Sequence, residues 1–97
     1  MLTIPAGAQS VHHVLVVKVL QRDRVVADLH KMGIGAGVHY PTPVHLQPAW
    51  SHLGLGPGEL PHAETLAESV LSLPLWSQMS SAQVERCVTA LAEAVAR

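Results

Sequence analysis

From His13 to Leu20 the chain reads HVLVVKVL, an almost unbroken run of β-branched residues and leucine. That is the pattern of a strand covered on both faces. In RDRVVADLHKM, which follows, Val25, Val26, Leu29 and Met32 recur at helical spacing, and Gly33 stands where a helix C-cap favours positive φ. The spacing predicts an amphipathic helix of about three turns. GAGVHY, residues 35–40, predicts a short second strand, and Pro41 to Leu60 then forms a long loop. Pro61 opens a second helix, with Ala63, Leu66, Ala67 and Val70 along one face. VLSLPLW predicts a third strand that Pro74 confines to an edge or a strand end. Ser80 and Gln83 form a capping box for a last helix, whose buried face is expected at Val84, Val88, Leu91 and Val95.

The leading segment, residues 1–10, carries Pro5 and Gly7 and reads as a linker. The order is thus β-α-β-loop-α-β-α, an α+β domain in which helices cover one face of a small sheet of about three strands. The apolar character of the first strand favours a sheet whose other face docks on something else.

Composition narrows the picture. The 97 residues suffice for a single domain over 1–97, with 48 % hydrophobic and 13 % charged residues, more apolar surface than water alone favours. The net charge of −1, without a cationic block, argues against a nucleic-acid partner. The lone Cys87 cannot form an internal disulfide, and no apolar run approaches a membrane span, so a cytoplasmic setting without a membrane partner is expected.

Candidate chemistry concentrates in GIGAGVHYPTPVHLQPAW, residues 33–50. Loops longer than about 12 to 15 residues in compact domains are usually functional or disordered. Here Pro41, Pro43 and Pro48 stiffen the backbone before any ligand arrives. His39, Tyr40 and His45 offer donors, acceptors and a flat ring, a set suited to a sugar or a phosphate. Tyr40 serves equally well as an anchor of the loop on the core. The histidines 39, 45, 52 and 62 lack the short spacings of a zinc site and read as satisfied loop residues, so no metal is expected. Cys87 falls on a helical face and packs there, and GIGAG follows a helix, whereas a dinucleotide-binding glycine loop follows a strand.

These same segments carry a resemblance. HVLVV, GIGAGVHYPTPVHLQPAW, PHAETLAE and LSLPLW occur here in the order of the motifs of the DegT/DnrJ/StrS sugar aminotransferases, pyridoxal-phosphate enzymes of the aspartate aminotransferase fold. The resemblance is to the C-terminal small domain, and it departs where Thr65 replaces a frequent arginine. It implies a parent enzyme that transfers an amino group from glutamate or glutamine to a nucleotide-linked keto sugar, with the cofactor supplying the carbanion chemistry. It also implies that the Schiff-base lysine lies in a large domain preceding this region, because neither Lys18 nor Lys31 matches the motif. The opening LTIPAGAQS looks like the family's run into its small domain rather than a true beginning. The chain is then expected to hold no catalytic and no cofactor-binding residue of its own and to be inactive alone. It would work with its large domain and a homodimer partner, and His39, Tyr40 and His45 would be substrate-side contacts. The alternative is a stand-alone remnant that binds or oligomerises through its apolar face.

Overall fold

The computed structural model describes residues 4–97. Of the expected leading linker, positions 1–3 lie outside the described residues. Positions 5–8 make a turn closed by Ala8 N–H donating to Pro5 O at 3.1 Å. The elements in order are β1 (Leu15–Lys18), α1 (Arg22–Lys31), α2 (Pro61–Ser69), β2 (Val70–Leu73) and α3 (Ser81–Ala96), with two 3₁₀ turns between α1 and α2. The fold is α+β.

Local chemistry sets the boundaries of these elements. α1 stops in a Schellman arrangement, where Gly33 N–H donates to His30 O and Ile34 N–H to Leu29 O, both at 2.9 Å. Gly33 has a φ of 77°, which a side chain would strain. α2 begins on Pro61, whose missing N–H would have been unpaired there in any case. α3 begins on the expected capping box, with Ser80 and Gln83 each satisfying the other's backbone N–H.

β1 and β2 pair antiparallel, Leu15 with Leu73 and Lys18 with Val70 at the two ends. Two strands form the sheet among the described residues, against the expected three. The segment 35–40 supplies a single bridge: Gly37 N–H donates to Ser72 O at 2.9 Å and Ser72 N–H returns to Gly37 O at 2.8 Å. Glycines at 35 and 37 give a strand no side chains to pack, and the chain turns away after one pair.

The core lies on one side of this ribbon. Val25 and Leu29 of α1, Ile34, Ala36, Leu71 and Leu73 of β2, and Cys87, Ala90 and Ala94 of α3 form it, with Leu15, Val17 and Val19 packed against its edge. Leu29, Leu71 and Val25 are fully buried, and each contributes about 1.5–3 kcal/mol.

Two expectations about faces need correction. Strand β1, expected to be covered on both faces, is only half-buried at Leu15, Val16 and Val17 and exposed at Lys18, and Val14 just before it is exposed. In α3 the buried face is Cys87, Ala90 and Ala94 with Leu91 partly buried, while Val84, Val88 and Val95 are exposed. Both sets recur at helical spacing. The small residues win because they let α3 approach α1 closely enough to close the core.

Candidate functional site

The segment 39–60 leaves the sheet beside Ser72. His39 Nδ1 lies 2.8 Å from Ser72 Oγ, and Ser72 is buried. The Tyr40 ring stands edge-on to that of His39, with centroids 5.4 Å apart, and the His39–Tyr40 peptide is cis. Tyr40 is 71 % exposed, so it does not anchor the loop on the core. With Pro41, Thr42, Gln47, Pro48 and Ala49 it lines an open concavity of about 410 Å³. The chain then runs through the 3₁₀ turns Val44–Leu46 and Pro48–Leu53.

His45 behaves differently from its two neighbours. It is 5 % exposed, and its Nε2 lies 3.0 Å from Glu64 Oε1 on the first turn of α2. Glu64 also accepts from Gly58 N–H, which is shared between its two oxygens at 2.9 and 2.8 Å, and from Leu60 N–H at 3.2 Å. The Gly58 amide, followed by the His45 ring and the Leu60 amide, holds the Glu64 carboxyl below its ordinary range, against the opposing effect of partial burial. One carboxylate therefore ties the middle of the loop, its end and the helix that follows.

Of the three residues picked from the sequence, the structure brings His39 and Tyr40 together at the surface and sets His45 beneath it. Glu64 and Ser72 were missed as parts of the same constellation. Their signals were present: a Glu on the first turn of a helix after a glycine-rich turn, and one polar residue inside an apolar strand.

Among the described residues no three His, Cys, Asp or Glu side chains come together to hold a metal ion. Nor does any helix among them have the length and apolarity to cross a membrane. The lysines do not fit a pyridoxal-phosphate site. Lys31 Nζ is paired with Asp28 Oδ1 at 2.9 Å on the exposed side of α1, and Lys18 stands exposed at the end of β1. Neither faces the concavity beside Tyr40.

Comparison with known proteins extends these observations. The family model of the DegT/DnrJ/EryC1/StrS aminotransferases matches residues 1–92. The chain is 42 % identical over 84 residues to the erythromycin biosynthesis sensory transduction protein EryC1 of Saccharopolyspora erythraea, which covers 87 % of this chain and 23 % of that protein. It is 39 % identical over 83 residues to the dTDP-3-amino-3,4,6-trideoxy-alpha-D-glucose transaminase of Streptomyces venezuelae, covering 86 % of this chain and 22 % of that one. A crystal structure of a DegT DnrJ EryC1 StrS aminotransferase from Brucella abortus superposes with a TM-score of 0.85 at 30 % identity, over 98 % of this chain and 26 % of that chain. The structure of S. venezuelae DesV in complex with a ketimine intermediate gives a TM-score of 0.83 at 38 % identity, over 88 % of this chain and 23 % of that one. The chain spans about a quarter of the length of these relatives.

Proposed function

The chain belongs to the DegT/DnrJ/EryC1/StrS aminotransferase family, and from that premise we propose that it is the C-terminal small domain of a pyridoxal-phosphate-dependent aminotransferase. The parent reaction moves an amino group from glutamate or glutamine onto a keto group of a nucleotide-linked sugar. A large domain supplies the lysine and the phosphate-binding groups that this chain lacks, and a homodimer partner completes the site in the cytoplasm. Alone, the chain does not transaminate.

In this reading His39 and Tyr40 are substrate-side contacts. Tyr40 offers a ring face and a hydroxyl to a sugar or its diphosphate at the lip of the concavity, and the bond to Ser72 keeps the His39 ring beside it. His45 contributes from below, by holding the loop in place. The observation that carries the reading is the likeness to sugar aminotransferase structures, at TM-scores of 0.83 and 0.85, over nearly all of this chain.

The test is a titration of the ¹⁵N-labelled chain with uridine diphosphate N-acetylglucosamine and thymidine diphosphate glucose. Amide shifts confined to Val38–Gln47 are expected. Their absence at millimolar ligand removes any sugar contact by this chain on its own. A second reading, an autonomous module that self-associates, draws on the exposed Val84, Val88 and Val95 of α3. Sedimentation velocity separates the two: a single discrete oligomer favours the module, and polydisperse association favours a domain deprived of its large-domain partner.

A further inference from the structure

We propose that Glu64 is a positioning residue, a clasp that sets the conformation of the loop bearing Tyr40 without touching substrate. The inference rests on the reading of that loop as a substrate surface, but it concerns a residue outside the concavity. Glu64 does not line it, whereas both segments that do, Tyr40–Thr42 and Gln47–Ala49, lie in or beside the stretch that Glu64 ties down.

The geometry carries the proposal. Between Pro41 and Leu60 the described chain has only two 3₁₀ turns, and they contribute nothing to the buried apolar core. Such a segment has little hydrophobic reason to hold one shape. What it has instead is a carboxylate that accepts from three N–H donors, on His45, Gly58 and Leu60, the Gly58 N–H being shared between both oxygens. These are charge-assisted bonds, stronger than neutral ones, and two of the three donors are backbone amides that cannot swing away. Gly58 has a φ of 88°, a conformation that aims its N–H without side-chain strain. The His45 ring, almost wholly buried, transmits the hold to the 3₁₀ turn between Pro43 and Gln47. Gln47 Nε2 donates to Thr42 O at 3.5 Å, a weaker tie across the mouth of the concavity. Remove the carboxylate and these donors lose their common acceptor, so the loop samples conformations in which Tyr40 and Ala49 no longer frame one surface. If the competent conformation falls to a tenth of the molecules, apparent ligand affinity falls about tenfold.

Two measurements test this on the 97-residue chain. The first uses the unsubstituted protein: amide hydrogen exchange at neutral pH should show Gly58 and Leu60 protected although both lie in an exposed segment. Exchange at the unprotected rate overturns the proposal without any variant. The second compares Glu64→Gln with the parent by ¹H–¹⁵N spectra and nucleotide-sugar titration. Resonances of Val25, Leu29 and Leu71 should stay in place while those of Gly58 and Leu60 move and Tyr40 to Ala49 broaden. Uridine diphosphate N-acetylglucosamine should bind about tenfold more weakly. Unchanged Tyr40–Ala49 resonances, or equal affinity in both proteins, sink the clasp. If neither protein binds the nucleotide sugar, the sugar-surface reading fails, and the clasp is judged on exchange and resonance changes alone.

Discussion

Arg22 is nominally the first residue of a surface helix, yet it is only 8 % exposed. Its Nη1 donates to Ala67 O at 2.9 Å and to Val70 O at 3.0 Å, the first a carbonyl left without a helical partner at the end of α2. A fixed cation there also suits the negative end of the helix dipole. Arg22→Met keeps much of the side chain's bulk but strands both carbonyls, and is expected to cost about 1–3 kcal/mol, read as a lowered urea midpoint with an unchanged m-value. The Asp28 carboxyl is held below its ordinary 3.8 chiefly by the bond from Lys31, with Arg24 adding and burial opposing. Glu64 is held below its ordinary 4.5 by Gly58, with His45 the titratable side chain bonded to it. Both groups bind protons more weakly in the fold than in the unfolded chain. Their contribution is therefore present above pH 3.8 and 4.5 respectively and is lost as pH falls through the lowered folded values. Tm should be insensitive to these two groups from pH 7 to 5 and fall below that, and Asp28→Asn with Glu64→Gln should flatten the acid slope.

At the scale of elements, α3 offers the sharpest test, because two apolar stripes compete on one helix. Ala94 has no exposed surface, while Val88 is 58 % exposed. Val88→Lys should change stability by no more than about 0.5 kcal/mol, and Ala94→Leu should lower it by about 1–3 kcal/mol through overpacking against α1. Thermal melts of the two variants decide which stripe faces the core. Reading the sequence alone selects the valines, since they are larger and equally periodic, and nothing in one chain says that the facing helix comes close enough to demand alanine. The ends of elements were far more legible. Gly33 and the Ser80–Gln83 pair encode their caps in local backbone chemistry, which needs no knowledge of what lies across the core. The expected second strand failed for the opposite reason: residues 35–40 look extended, but pairing depends on what β2 leaves open, and it leaves one bridge at Ser72. His39 and Tyr40 could be picked out of the loop by composition. The convergence of His45, Gly58 and Leu60 on Glu64 could not, because it depends on how the loop folds back over α2.

The whole molecule is spread out for its length. Its radius of gyration is 15.6 Å and its extents are 48 × 38 × 21 Å, whereas a compact chain of this size has a radius near about 12.5 Å. Its accessible surface, 7160 Å², likewise exceeds the roughly 5,400 Å² of a compact monomer of this mass. The excess is partly apolar, with Val14, Leu20, Trp50, Trp76 and Val88 all exposed. Small-angle scattering at low concentration should return a radius well above the compact value, and a radius near about 12.5 Å would mean that the loop collapses onto the core in solution. Because β1 pairs with β2 from Leu15↔Leu73 to Lys18↔Val70, the loop sits inside a chain closure of about fifty residues, and the His45–Glu64 bond closes a shorter ring of about twenty within it. Closure entropy grows only with the logarithm of length. Ten residues added between Ala49 and Gly56 would raise the outer term by about 0.2 kcal/mol and the inner by about 0.4 kcal/mol. The tip of this loop is thus a place where length and chemistry can drift through insertion and deletion while the scaffold stays the same, which gives such a domain a ready route to new ligands.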